Sequence, residues 1–589
     1  MPAETLMAAT AAAKAAFSSD RELGSRGSRA AIENSAASDL TPTAAAVLAA
    51  IPAWWSARAG AAGLSGRWLD ISQALEAVPP IELPVDDALV PSWGPLTPDQ
   101  VGAAYVCALS PATRARHGRH YTPAELADHL WWLARKSLGL SPRPEQLAGL
   151  VRDPACGAGA LLLPALREHL RASFDTEPAL VLAALPSLIE GIDNDPAAVW
   201  VTNVVLAAET LPTLARIPEH MRRPLPAVAR VGDGLAADLG PAKVVLMNPP
   251  YGRIKLSDDE RSRFAHVLYG HANIYGMFMA HGADQLETDG VLATLTPTSF
   301  TSGRYAERLR DHLGSKAPLT QVTFVSDRSG VFSSVLQETC LATFERRARK
   351  RVRVRSFGSS VEDIASVAVQ KSGAPWMFPR RSDDAVIAAT CATFTSSLAS
   401  IGWRASTGPL VWNRRSEDLS ANYGKSRSHV IWAADIDGGT LHRDSTRDSM
   451  RYLTLSKASD ERVMVLSEPA VLVQRTTAPE QSRRLVVAPL TQTDLDARGA
   501  AVTIENHVNV LRPQGLLASL SVEQLARILG TRTMDQVVRT ISGSVALSAY
   551  ELESIPMPPA DVVAQWAELA GDELEDAVRR AYQGGKVVT

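Results

Sequence analysis

Cysteine is scarce in this chain of 589 residues, and Cys107, Cys156, Cys340 and Cys391 lie too far apart for any Cys-x-x-Cys or zinc-spaced Cys/His set. A disulfide framework is thereby excluded as the organising device, and the four thiols are expected to be reduced. Charge of one sign is also missing: 60 Lys and Arg against 63 Asp and Glu leave −3, with a pI near 6.5. Any surface that holds nucleic acid must therefore be local and balanced by acid elsewhere. No apolar run has the ~18 residues of a membrane span. The alanine-rich start, with Glu4 early, lacks the apolar centre of a secretory signal. A cytoplasmic chain without a membrane segment is the expectation. The twelve histidines, among them His117, His120, His266 and His271, show no ligand spacing, so no metal site is expected. What remains, 46% apolar and 21% charged residues, is ordinary globular composition, and the length corresponds to roughly three or four domains.

The most informative stretch is Val244-Val245-Leu246-Met247-Asn248-Pro249-Pro250-Tyr251. Four apolar residues of strand character run into a turn that neither strand nor helix continues through, because two prolines lack N–H donors. The turn offers a side-chain amide, backbone carbonyls and an aromatic ring at the mouth of a buried strand. That set suits a flat, amino-bearing ring: the ring stacks on Tyr251, while Asn248 Oδ1 and the Pro249 carbonyl accept both hydrogens of an exocyclic amine. A Pro-Pro loop with an ordinary Asn cap is the bland alternative.

Other segments build a frame around this turn. Residues 1–105 read as a helical, partly flexible extension without chemistry, with Trp54 and Trp55 as packing anchors. Thr122, Pro123 and Glu125 have the spacing of N-cap, N1 and N3 of a helix through Lys136, and the basic lead-in from Arg114 to Tyr121 could close over a ligand. Leu150 to Arg152 reads as a strand entering Asp153-Pro-Ala-Cys-Gly-Ala-Gly159, a glycine turn that lets backbone approach a ligand closely. It lacks the Lys-Ser or Lys-Thr of a phosphate loop, so a cationic or zwitterionic ligand fits better than a pyrophosphate. A second strand ends at Asp193, where a ribose diol is held in doubly wound sheets; Asp195 is the better N-cap for the helix from Pro196. A third ends at Asp233, whose Asp-Gly pair is equally a common turn. Phe332, in the loop before the last strand, is either a core plug or a second face against a base, opposite Tyr251.

With these motifs on successive strand ends, the chain resembles class I S-adenosylmethionine-dependent methyltransferases. Motif order, with Gly118 to Pro123 ahead of the glycine turn and the Asn-Pro-Pro-Tyr turn after it, further resembles the gamma class of N6-adenine DNA methyltransferases of restriction-modification systems. The resemblance implies an α/β, Rossmann-like catalytic domain over residues 106–348, followed by a mixed α+β target-recognition domain over 349–589. It implies S-adenosyl-L-methionine held by Tyr121, Thr122, Asp153, Ala155, Gly157, Gly159, Asp193, Asn194 and Asp233. Asn248, Pro249, Pro250 and Tyr251 would carry catalysis, with Tyr251 and Phe332 stacking on a flipped adenine. Two positions depart from the pattern: Gly234, where relatives often carry a bulky residue against the cofactor adenine, and Asn194, commonly apolar. Cys156 lies in the cofactor turn, which disfavours thiolate attack on a cytosine.

From Arg346 the charge changes, and Arg351, Arg353 and Arg355 alternate so that one strand face would be arginine, suited to phosphate or to blocking edge pairing. Gly408 to Arg415, Val471 to Thr477 and Asn506 to Leu511 read as strands that carry Arg414, Arg415 and Arg475, and Ser521 to Gly530 reads as a helix. Double-stranded DNA is the expected partner of a protein that is expected to be a monomer. No nuclease metal site is evident in the sequence, so a separately encoded restriction endonuclease is implied. An N5-glutamine protein methyltransferase, an RNA N2-guanine methyltransferase and a silent DNA-binding scaffold are the competing readings.

Overall fold

The computed structural model describes residues 41–79, 93–117, 121–252, 254–270, 273–325, 338–347, 349–370, 372–442, 448–477, 481–515, 518–541, 543 and 546–584. Strand β1 (Val151–Asp153), β2 (Ile189–Asp193), β3 (Ala229–Val231), β4 (Ala242–Met247), β5 (Leu286–Pro297), β6 (Leu319–Val325), β7 (Thr339–Glu345), β8 (Arg351–Phe357) and β9 (Val361–Ala368) form one sheet in the order β3-β2-β1-β4-β5-β7-β6-β8-β9. The first five are parallel, while β7 runs antiparallel between β5 and β6. The chain winds outward from β1 in both directions, so a crevice opens at the carboxyl ends of β1 and β4, where the winding reverses. This is the class I methyltransferase sheet that the motif order predicts.

β4 shows why the sheet sits between two layers. Val244 and Leu246 enter the core formed with the N-terminal helices, whereas Val245 and Met247 enter a second core on the opposite face. A strand apolar on both faces is stable only when both are covered. Helices α1 (Pro42–Ala61), α2 (Pro98–Ala108), α3 (Ala124–Leu138), α4 (Leu162–Ala172) and α5 (Pro196–Ala215) supply one layer. Further along the chain come the short α6 (Asp258–Arg263), then α7 (Ile274–Asp284) and α8 (Glu307–Lys316), whose apolar side chains fill the other core. Helix α5 starts as expected, with Asp195 accepting from the Ala197 amide and proline at the first position. Among the described residues α5 is also the one helix long and apolar enough to cross a membrane, yet 83% of its apolar window is buried in the fold.

Three expectations need correction. Residues 41–105 are not a separate unit: Trp54 and Trp55 share the core of the sheet's helical layer, and Leu75 bridges to Leu225 beside β3. Second, the boundary at 348 falls within the sheet. β8 pairs parallel with β6 and β9 with β8, because Val352 and Val354 are needed to complete the second core. Third, the Thr122 hydroxyl does not cap α3; the cap position falls on Pro123, without a side-chain hydrogen bond.

C-terminal to β9, a four-stranded sheet orders Trp403–Thr407, Val508–Pro513, Ala470–Gln474 and Val487–Leu490, beside a five-stranded sheet and the helices Val522–Leu529, Arg532–Ile541 and Gly571–Tyr582. Ser521 caps its helix with Gln524 as a capping box. Gly408 to Arg415 is not a strand: a Cβ on Gly408 would lie 2.2 Å from the Glu505 carbonyl, and the chain turns there into a short 3₁₀ segment, Trp412–Arg414. This half meets the unit of the nine-stranded sheet through Ser302 Oγ, which donates to Glu551 at 2.6 Å, and through Phe378 of the second core, whose amide donates to the Thr540 carbonyl at 2.8 Å.

Candidate active site

Asp153, Asp193 and Asn248 lie at or just past the carboxyl ends of β1, β2 and β4, and Asp233 follows β3 by two residues. The parallel register therefore brings together four residues that the sequence spreads over almost a hundred positions. Asp153 is fully buried; its Oδ1 accepts from the Ala155 amide at 3.0 Å, and burial pushes its carboxyl up to about 8.

Gly157 and Gly159 take φ of +50° and +82°, a region costly for other residues. Gly157 donates its amide to Asp193 Oδ2 at 2.9 Å, while Thr202 donates to the Gly157 carbonyl at 2.7 Å. A Cβ on Gly159 would lie 3.1 Å from Thr202, but one on Gly157 would meet nothing. The open side of the turn is thus at Ala155 and Gly157, both half-buried, with exposed Asn194 and Asp233 on neighbouring strand ends. Asp193 Oδ1 also accepts from the Asp195 amide at 3.0 Å, so this carboxylate fixes the turn as well as bordering it.

The extension to which the sequence assigns no chemistry buttresses this turn. Tyr105 of α2 donates to Asp195 Oδ2 at 2.8 Å, and Tyr121 donates to the Asp99 carbonyl at 2.7 Å. A Cβ on Gly102 would meet the Ala158 carbonyl at 3.0 Å, so α2 lies close against the glycine turn. A glycine inside a capped helix is the signal available in the sequence. At Gly234 a Cβ would fall 1.7 Å from the Pro154 carbonyl and 3.0 Å from Phe278 Cε1. Phe278 of α7 stands beside Gly234 and takes the space into which a larger side chain there would reach.

At the Asn-Pro-Pro-Tyr turn, Asn248 Nδ2 donates to Thr122 Oγ1 at 2.9 Å. The Tyr251 hydroxyl lies 2.7 Å from Asn248 Oδ1 and 3.1 Å from the Leu295 carbonyl, and can donate to either. Burial pushes the Tyr251 phenol well above its ordinary value, so it is a neutral donor. Its ring packs edge-on to Tyr275, with centroids 6.4 Å apart. Thr122, buried to 4% exposure, thus orients the Asn248 amide. If the Asn248 turn carries a transfer reaction, removing that hydroxyl in Thr122→Val is expected to lower its rate about tenfold, the worth of one hydrogen bond to a positioned group, with substrate KM little changed. Steady-state kinetics on the two proteins check this.

The arginines expected at DNA divide. Arg351, Arg353 and Arg414 are exposed, although Arg351 donates to Ser366 Oγ at 2.9 Å. Arg355 is buried, bonded to Asp363 at 2.8 Å and Gln321 at 2.9 Å, and lies over Trp132 of α3; the arginine face ends where that helix covers it. Arg415 is held by Asp418 and Asp460, and Arg475 donates to the Asn506 carbonyl at 3.2 Å. Neither Arg355 nor Arg415 is available to phosphate. Phe332 and residues 118–120 lie outside the described residues.

Residues 240–332, which contain the Asn-Pro-Pro-Tyr turn, match the family described as Eco57I restriction-modification methylase. The chain is 24% identical over 327 residues to the type II methyltransferase M.PstI of Providencia stuartii, covering 53% of this chain and 64% of that protein. It is 22% identical over 347 residues to the type II methyltransferase M.BsuBI of Bacillus subtilis, covering 56% and 68%. Among solved structures it shares its fold with the type IIL restriction-modification enzyme MmeI, determined in complex with DNA, at 13% identity and a TM-score of 0.50 over 85% of this chain and 80% of that one. The gamma-class resemblance is borne out: residues 240–332 match the Eco57I restriction-modification methylase family, and the chain is similar to type II methyltransferases.

Proposed function

We propose that the chain is a site-specific DNA methyltransferase, the modification half of a type II restriction-modification system, that methylates N6 of an adenine turned out of double-stranded DNA. The observation that carries this reading is the Asn248 amide, anchored by Thr122 at 2.9 Å and set on the strand next to the glycine turn.

The turn fits S-adenosyl-L-methionine: left-handed glycines open at Gly157, carboxylates border it, and no phosphate-binding lysine follows. When bound, this cofactor supplies a methyl group on a sulfonium, electrophilic enough to need no covalent nucleophile. Asp193 would hold the ribose, Asp233 the adenine amine, and Asp153, Ala155, Gly157 and Gly159 the methionine end. Asn248 Oδ1 and the Pro249 carbonyl would accept the two hydrogens of the target amine, so that its lone pair leaves ring conjugation and is exposed for methylation, the one proton then lost from nitrogen passing to solvent. For Oδ1 to accept the amine, the Tyr251 hydroxyl would turn to the Leu295 carbonyl, and the Tyr251 ring would stack on the base with Phe332. Exposed Arg351, Arg353 and Arg414 would contact DNA, and the endonuclease would be a separate chain.

Transfer of labelled methyl from S-adenosylmethionine to duplex DNA, followed by nucleoside analysis, tests the reading. N6-methyladenine is the expected product; label in cytosine, RNA or protein instead would overturn it.

The cofactor site also has a sign-defined pH dependence. With its carboxyl at about 8, Asp153 is largely protonated in the free protein at pH 7. A cationic ligand beside it favours the carboxylate, so binding releases a proton. Affinity should rise with pH, approaching tenfold per unit below pH ~8, and level off above it. Calorimetry in two buffers of different ionisation enthalpy reads the proton directly, and Asp153→Asn should abolish its release.

A further inference from the structure

Away from the crevice, the fold assembles a group that sequence spacing hides. His312 of α8 faces the last residue of α7, Asp284, with Nε2 3.0 Å from Oδ1. The His312 side chain is only 10% exposed, with its Nε2 set against the Asp284 carboxylate. His266, on the turn that follows α6, brings its ring to 4.9 Å from the His312 ring at 61°. One ligand atom from each of the three side chains lies within 4.8 Å of the others.

From this geometry we propose a divalent transition-metal site, of the zinc class, formed by His266, Asp284 and His312. Two imidazoles and a carboxylate are the donor set that favours zinc over magnesium or calcium, whose sites are built from oxygen. Donors on a tetrahedral zinc stand about 3.4 Å apart; the exposed His266 and Asp284 side chains close the difference by rotating, while His312 is fixed by packing. His266 and His312 open onto a cleft of about 350 Å³ that Arg308, Asp311 and Ser315 also line, leaving room for water in the fourth position. Arg308 brings positive charge to this cleft, but its guanidinium donates to the Ala265 and Leu268 carbonyls at 2.9 and 3.0 Å. It thereby holds the turn that presents His266.

The site has a structural consequence. Its three ligands come from the turn after α6, the end of α7 and the body of α8, so a bound ion ties the segment leaving the Asn248–Tyr251 turn to two helices of the second core. A metal here clips that segment and takes no part in the chemistry at Asn248.

The test uses the full chain, free of any histidine tag, stripped of metal and carrying Cys107→Ser to remove the exposed thiol. Titration with zinc alone should show one ion per chain with micromolar affinity, and cobalt should give visible bands of nitrogen and oxygen ligation without a thiolate charge-transfer band. His266→Ala, Asp284→Asn and His312→Ala should each weaken zinc at least thirtyfold. Zinc should also slow amide exchange over residues 264–270. His266→Ala and Asp284→Asn alter exposed side chains, so they decide the matter even if His312→Ala fails to fold. Failure to bind one equivalent, or binding unchanged in the His266→Ala, Asp284→Asn double variant, would overturn the proposal.

Discussion

Asn248→Ala is expected to lower methyl transfer to DNA by about 10³-fold or more, with cofactor affinity within about twofold of wild type. The amide does two things that alanine cannot. In the proposed reaction it would receive one hydrogen of the target amine, while its own N–H group, 2.9 Å from Thr122 Oγ1, fixes the direction of that acceptor. Truncation leaves the Thr122 hydroxyl without its partner, but Tyr251 keeps the Leu295 carbonyl at 3.1 Å, so the pocket should survive. Asn248→Asp separates the two roles. A carboxylate still accepts the amine hydrogen and can accept from Thr122 acting as donor, so partial activity should return, roughly 10–100-fold below wild type. Single-turnover transfer to a duplex of mapped sequence, with calorimetric cofactor binding alongside, measures both. Equal loss in the two variants would show that the acceptor at this position is not what drives transfer.

Why the acceptor strand was legible and its support was not follows from the range of the forces involved. β4 is continuous, apolar on both faces and ended by two prolines, so local pattern alone specifies it. The strand-end acids are less plainly marked, since Arg152, Glu190 and Arg230 interrupt the short strands they follow, and glycines beside them carry the signal. Thr122 was misread because its neighbours, Pro123 and Glu125, make a plausible local cap; a contact across 126 residues outweighed it. Arg355 was misread for a similar reason. The alternation that places Arg351, Arg353 and Arg355 on one face is real, but only the tertiary position of α3, through Trp132, decides which of the three meets solvent. The helical extension looked inert because Ala-rich helices advertise no chemistry, although Tyr105 and Gly102 carry its contact with the glycine turn. His266, Asp284 and His312 lie on three separate elements and have no spacing to read.

Gly234 concentrates the same lesson in one atom, and Gly234→Ala should be among the most damaging single-methyl additions in the chain. Read against relatives, the glycine is a gap in the cofactor wall. In the fold it is a site of close approach, where a Cβ would stand 1.7 Å from the Pro154 carbonyl oxygen and 2.7 Å from its carbon. Neither neighbour can retreat cheaply. Pro154 is pinned between the fully buried Asp153 and the Ala155 amide that bonds to it, and Phe278 stands 3.0 Å away on the other side. Relief requires moving the turn after β3 or the glycine turn by more than an ångström, at a cost of roughly 3 kcal/mol or more. Either displacement shifts Asp233 relative to Ala155 and Gly157, so cofactor affinity should fall at least 100-fold. Gly157→Ala is the informative contrast: its Cβ meets nothing, and the penalty is confined to a φ of +50°, about 1 kcal/mol. Denaturant unfolding of both variants separates crowding from backbone conformation, and calorimetry on Gly234→Ala reads the cofactor site. A Gly234→Ala protein as stable as wild type and as tight for cofactor would mean that the two turns do not meet as this structure places them.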